Sequence, residues 1–185
     1  MEKDSLDQIR KWISGCKRCK LHSTRRNIVF GVGDEKARLM LIGEAPGYEE
    51  DRKGEPFVGK AGQLLTRMLE AINLSRKDVY ITNVVKCRPP QNRNPTLQEI
   101  SACNPYLINQ IKAIKPRLIL TLGNFATQTL LGKKEGITRL RGRFYNYQGI
   151  KLLPTFHPSA LLRNPSLKRY AWEDLKLMRG ELNSY

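Results

Sequence analysis

The sequence predicts an α/β protein, a three-layer α/β/α sandwich built on a central four-stranded parallel sheet. Three observations predict it. Strand-like and helix-like segments alternate four times along the chain. The main strand candidates are continuous apolar runs, as in strands covered on both faces. The segments between them carry apolar residues at helical spacing. The chain has 185 residues, which fits one domain and is short for two. No internal repeat or linker interrupts it. Residues 1–185 therefore read as one unit, with a basic N-terminal arm over 1–36.

The elements follow in order. Residues 5–13 read as a short helix with Leu6, Ile9 and Ile13 on one face. Residues 37–42 are a continuous apolar run ending at Gly43, the first strand. Residues 60–72 place Ala61, Leu64, Leu65, Met68, Leu69 and Ile72 on a helical face. Residues 79–85 are the second strand. Thr96 and Glu99 form a capping box that starts a helix carrying Ile100, Cys103, Leu107, Ile111 and Ile114. Pro105 should kink or split that helix. Residues 117–122 are the third strand, followed by Gly123 and a helix near 124–131. Residues 151–156 are the fourth strand, in which Pro154 suits an edge position. A last helix covers about 167–181.

Charge is the first functional clue. Lys and Arg total 33 against 17 Asp and Glu, a net charge of +16. Such an excess calls for a polyanion, with nucleic acid the first candidate. From Arg10 to Arg26 there are basic side chains and no acidic one. Residues 132–149 are Gly-rich, with Lys133, Lys134, Arg139, Arg141 and Arg143 against Glu135 alone. No apolar run approaches the roughly 20 residues that cross a bilayer. The N-terminus has no signal-peptide core. The expectation is an intracellular protein with no membrane partner.

Four cysteines stand at Cys16, Cys19, Cys87 and Cys103. In an intracellular chain their spacing points to one metal site rather than to disulfides. Zinc and an iron–sulfur cluster both accept four thiolates. Zinc usually takes two close pairs, whereas Cys87 and Cys103 are far apart, which suits a larger cluster. The spacing leaves both metals open, with unligated buried cysteines as a third reading.

In open parallel sheets, ligands bind beyond the carboxyl ends of the strands. After the first strand come Gly43, Glu44, Ala45, Pro46 and Gly47; the second contains Asn83; the fourth leads into His157, Pro158, Ser159, Ala160, Leu161, Leu162 and Arg163. Singly, Glu44 could cap a helix, Asn83 close a turn and His157 fill a structural role. Together, a carboxylate, an amide and an imidazole converge on one rim. Gly54 to Lys60 also match the G-x4-G-K of a phosphate loop. However, Ala61 stands where a magnesium-binding Ser or Thr is required, and Pro56 removes an amide. An NTPase is excluded on those grounds.

Four motifs in order, GEAPG-x3-D from Gly43, GEPFVGKAGQLL from Gly54, NVVKCRPPQNRNP from Asn83 and HPSALLR from His157, resemble the type-4 uracil-DNA glycosylases. The cysteine spacing is similar to that family's [4Fe–4S] ligands, and the likeness runs from about Cys16 to the final helix. The resemblance implies an enzyme that flips deoxyuridine out of DNA and hydrolyses its N-glycosidic bond in base excision repair. It implies a [4Fe–4S] cluster on Cys16, Cys19, Cys87 and Cys103. It implies a uracil site of Gly43, Glu44, Ala45, Phe57, Asn83 and His157. Phe57 would stack on the base, Asn83 would read its edge, and His157 would donate to O2. Glu44 and His157 would be the catalytic pair.

The broader superfamily carries a water-orienting Asp where this chain has Ala45, so the role passes to Glu44. A bulky Tyr that excludes thymine in those relatives is replaced here by Gly47, which leaves Glu50 as the candidate for that task. Ser159 and Arg163 would hold DNA, with Leu161 as the wedge that fills the gap left by the flipped base. Residues 133–143 and the arm would track the backbone. The substrate would be uracil-containing DNA, double- or single-stranded. The protein would be a monomer, cytoplasmic and nucleoid-associated in a prokaryotic host, and association with a polymerase clamp stays open. Competing readings are a non-catalytic metal-bearing DNA-binding module and a polymerase accessory domain with a decayed site.

Overall fold

The computed structural model describes residues 5–184, so residues 1–4 of the arm and residue 185 lie outside it. The elements in chain order are α1 (Leu6–Ile13), β1 (Val32–Gly33), β2 (Leu39–Gly43), α2 (Tyr48–Lys53), α3 (Lys60–Glu70) and β3 (Tyr80–Asn83). They continue with α4 (Leu97–Ile114), β4 (Leu118–Leu122), α5 (Asn124–Leu131), α6 (Ile137–Leu140), β5 (Tyr145–Tyr147), β6 (Ile150–Thr155), α7 (Pro158–Arg163) and α8 (Lys168–Asn183).

The three layers are as predicted, but the sheet has six strands rather than four, in the order β1-β3-β2-β4-β6-β5. The inner four are parallel. The two added strands are antiparallel edges, β1 on β3 and β5 on β6. Both are too short and too polar to show as apolar runs. β5 and β6 form a hairpin through Gln148 and Gly149, both at positive φ, a turn that the Gln-Gly pair does not announce.

The apolar runs divide by parity. Met40, Ile42, Tyr80, Ile119 and Leu152 face a layer with α1 and α4. Leu39, Leu41, Ile81, Leu120 and Leu153 face the other layer, with α3 and α8. The amphipathic face of α1 is spent on this core, behind a Ser5–Gln8 capping box.

Two proline expectations change. α4 runs through Pro105 as one helix. A mid-helix proline costs about 3 kcal/mol. Here that is offset by a buried face of Ile100, Tyr106, Leu107, Ile111 and Ile114, each contributing about 1.5–3 kcal/mol. Pro154 lies in β6, inside the sheet rather than at its edge. The Thr155 carbonyl faces the β4 side, accepting from Gly123 N at 2.9 Å. Pro154 therefore faces the β5 side, where pairing has already stopped at Leu152, and its missing N–H leaves no gap in the ladder.

Candidate active site

The carboxyl ends of β2, β3 and β6 open into a cavity of about 490 Å³ that Glu44, Ala45, Phe57, Asn83, His157, Ser159 and Arg163 help to line. Asn83 ends β3, is 2% exposed, and its Oδ1 has no hydrogen-bond partner. A buried acceptor left unpaired costs about 1–3 kcal/mol. An amide held in that state is ready for a ligand donor.

Gly43 stands beside Asn83 in the sheet register. A Cβ there would lie 2.4 Å from Asn83 Oδ1 and 2.5 Å from Phe57 Cζ. Only glycine lets the amide and the ring sit together. Phe57 itself has φ +53°, a left-handed conformation that costs a non-glycine residue about 1–3 kcal/mol. The Arg76 guanidinium holds it there, donating to the Phe57 and Pro56 carbonyls at 2.9 and 2.8 Å. Its ring centroid is 5.5 Å from that of His157, tilted by 32°. Phe57 and His157 are thus neighbouring rings in contact, side by side in the cavity lining.

His157 follows β6. The Ser159 backbone N–H donates to its Nδ1 at 3.1 Å, and Ser159 Oγ lies 2.7 Å from the same atom. A ring nitrogen that accepts is unprotonated, so the neutral ring carries its proton on Nε2. Burial, aided by the charge of Arg163, pushes the imidazole pKa down to about 4. Burial also raises the Glu44 pKa, and Arg163 pulls it partly back. The cavity therefore holds a neutral imidazole donor, an unpaired amide acceptor, an aromatic face and a carboxylate.

Other expected residues land differently. Leu161 is 1% exposed and packs in the core layer of Leu64 and Leu175, so it is not a free wedge. From α7, Ser159 and Arg163 line the cavity, and helical spacing places 162 next to them and 161 on the opposite face. Leu162, at 41% exposed, is the leucine that solvent reaches. Glu50 lines the cavity, yet its oxygens are taken. Oε1 accepts from the Val58 and Gly59 amides at 3.0 and 2.9 Å, and Oε2 accepts from Gly47 N at 3.1 Å. It ties the Gly47 turn to the start of α3. The same bonds use the amides a phosphate loop would need, which removes the phosphate-loop reading physically. In the basic stretch, Arg141 is engaged inward, paired with the fully buried Asp174 at 2.6 Å. Lys133, Lys134, Arg139 and Arg143 stay exposed.

The four cysteines are unpaired and line one narrow recess together with Arg25, Lys86 and Tyr106. Arg25 Nη1 donates to Cys87 Sγ at 3.4 Å, and Lys86 N donates to Cys103 Sγ at 3.3 Å. Among the described residues no group of three or more His, Cys, Asp or Glu side chains is placed to hold a single metal ion. Burial pushes the Cys87 thiol up to about 11 and raises Cys103 as well.

Sequence reasoning missed Lys86. It is fully buried, and its Nζ donates to Thr82 Oγ1, the Asn83 carbonyl and Gln110 Oε1 at 2.5–2.6 Å. It ties the Asn83 backbone to the cysteine recess. A lysine in a basic chain gives no signal of burial. Arg76 was missed for the same reason.

A family model described as "Uracil DNA glycosylase superfamily" matches residues 30–176. The chain is 49% identical to the type-4 uracil-DNA glycosylase of Saccharolobus solfataricus, over 98% of this chain and 88% of that protein. It is 47% identical to the type-4 enzyme of Archaeoglobus fulgidus, over 97% and 94%. To that of Thermotoga maritima it is 46% identical, over 92% and 91%.

Proposed function

Because this chain belongs to the uracil DNA glycosylase superfamily and is similar over nearly its whole length to type-4 members, we infer that it excises uracil from DNA in base excision repair. It is a hydrolase. Water replaces the base at C1′ of the deoxyribose, which leaves an abasic site. The observation that carries this reading to the cavity is the buried, unpartnered Oδ1 of Asn83.

An extruded uracil between Phe57 and the end of β3 would offer N3–H to Asn83 Oδ1 and O4 to its NH2 group. His157 Nε2–H would meet O2. As the glycosidic bond lengthens, charge grows on O2, and a fixed donor there contributes about 3 kcal/mol to lowering the barrier. A neutral donor suffices because it stabilises the growing negative charge through a hydrogen bond while keeping its proton. Glu44 lines the same cavity, where its carboxylate would stabilise the positive sugar and orient the attacking water. Arg163, on the exposed face of α7, meets the backbone phosphates.

The cysteine recess supports a [4Fe–4S] cluster on Cys16, Cys19, Cys87 and Cys103. All four sulfurs share one pocket, two of them receive N–H donors, and the Arg25 guanidinium supplies positive charge beside them. Bound there, the group would tie the basic arm to β3 and α4 and take no part in the hydrolysis. Anaerobically purified protein should be brown, with absorption at about 400 nm. Cys87→Ala should lose that band and lower the unfolding midpoint more than it alters base selectivity. Colourless protein with stoichiometric zinc overturns the assignment.

The test of the function uses a uracil-containing oligonucleotide, single-stranded or annealed, followed by alkali. Strand scission at the uracil is expected with both. Leu162→Ala should lose more activity on the duplex, where the stack must be held open. Leu161→Ala should instead lower stability by about 2–5 kcal/mol, as a cavity in the core does. No release from either substrate overturns the function, and equal losses in Leu162→Ala remove the wedge.

A further inference from the structure

The cavity is larger than one pyrimidine ring fills. Beyond Phe57, Asn83 and His157, its lining includes Tyr48, Pro89, Asn92 and Asn94. A volume of about 490 Å³ is that of a site for a drug-sized ligand. Of these lining residues, Tyr48 is 47% exposed, an aromatic residue open to solvent in the cavity lining.

Two separate segments converge on that ring. The guanidinium carbon of Arg88, from the loop after β3, lies 5.2 Å from the Tyr48 centroid. That of Arg26, from the basic arm, lies 5.7 Å away. Arg88 is anchored by its side chain and Arg26 by its backbone. Arg88 Nε donates to Asn92 Oδ1 at 2.7 Å, and the Arg26 backbone N–H donates to Asp51 Oδ1 at 2.9 Å, with Asp51 2% exposed. The fold thus brings both cations to the ring, which is still open to solvent.

An exposed aromatic ring flanked by guanidinium groups is the chemistry that holds an unpaired base. Every base has a π-face, arginine adds cation–π attraction, and the phosphates between bases meet the positive charge. We propose that Tyr48, with Arg26 and Arg88, is a second base subsite, which takes the unpaired nucleobase adjacent to the deoxyuridine in single-stranded substrate. In a duplex that neighbour is stacked and paired, so the subsite gains little from it. In a single strand the neighbour is free, and stacking on Tyr48 replaces stacking in the strand. The subsite rests on uracil excision as the function of the adjoining pocket.

The experiment compares kcat/KM of the wild-type protein, Tyr48→Ala, Tyr48→Phe and Tyr48→Leu on one uracil oligonucleotide, single-stranded and annealed. Two further single-stranded probes carry a baseless tetrahydrofuran nucleotide immediately 5′ or immediately 3′ of the uracil. Tyr48→Ala is expected to lose about tenfold more on the single strand than on the duplex, the size of one stacked base. Tyr48→Phe should keep wild-type selectivity, and Tyr48→Leu should behave as the alanine variant, because it supplies area without a π-face. The wild-type protein should lose a similar factor on one of the two baseless probes, and Tyr48→Ala should be indifferent to both. Equal losses on the two strand states, no loss at all, or a wild-type protein indifferent to both missing bases overturns the subsite and leaves Tyr48 as a rest for the arginines. In those cases uracil release by the wild-type protein persists. If the wild-type protein releases no uracil at all, the function and the subsite fall together.

Discussion

Replacing Asn83 with Asp is expected to lower uracil excision on the order of a thousandfold and to open a weak cytosine excision. The wild-type amide offers one acceptor and one donor in a buried place, and the acceptor is unpaired in the free protein. Uracil supplies the matching N3–H and O4. Cytosine supplies the reverse, an amino donor at C4 and a bare N3. Mismatched partners in a dry pocket leave polar groups unpaired, and this is the strongest form of discrimination a small site has. The aspartate keeps the shape but turns the NH2 donor into oxygen. Its carboxylate accepts from the cytosine amino group and, when protonated, donates to N3. The measurement is a paired assay on uracil and cytosine oligonucleotides with the wild-type protein alongside. A variant with full uracil activity removes Asn83 as the reader of the base.

His157→Ala is the second large effect, a fall in kcat of about a hundred- to a thousandfold with KM near the wild-type value. The donor acts on charge that exists only in the transition state, so ground-state binding changes little. The pH dependence separates the two catalytic groups. His157 is neutral down to about pH 4, because burial disfavours the imidazolium. It therefore leaves no limb in the profile near neutrality. Burial raises the Glu44 pKa above its ordinary 4.5. Activity that needs its carboxylate is present above that raised pKa and is lost as pH falls through it. Glu44→Gln should lower the plateau and flatten the acid limb. A limb unchanged in Glu44→Gln assigns it to another group. The depressed His157 pKa also has a cost in stability. Below about pH 6.5 the unfolded chain binds a proton that the native ring refuses until about 4, so unfolding is favoured across that window.

The sequence was legible where a pattern repeats along the chain. Continuous apolar runs marked the four parallel strands, and helical spacing marked α3 and α4, because burial on both faces or on one stripe writes itself into residue order. Motifs at strand ends placed Glu44, Asn83 and His157 on one rim, since the topology puts all carboxyl ends of parallel strands on the same side. The two edge strands were not legible. Val32–Gly33 and Tyr145–Tyr147 are held by pairing with a neighbour, not by their own apolarity.

What only the tertiary structure decided is direction and partnership. Leu161 and Leu162 are the same residue type one position apart, and the helical phase of α7 sends one into the core and the other to solvent. Glu50 reads as a free carboxylate until the fold brings three backbone amides to it. Lys86 and Arg76 look like two more charges in a basic chain, yet one is sealed between Asn83 and the cysteines and the other clamps the left-handed Phe57. Residue order alone determined the α/β class, the cysteine frame and the chemical groups of the site, because these depend on composition and local period. The tautomer of His157, the unpaired oxygen of Asn83 and the open ring of Tyr48 depend on groups far apart in the chain, and a side chain's partner is fixed only when the packed fold brings it there.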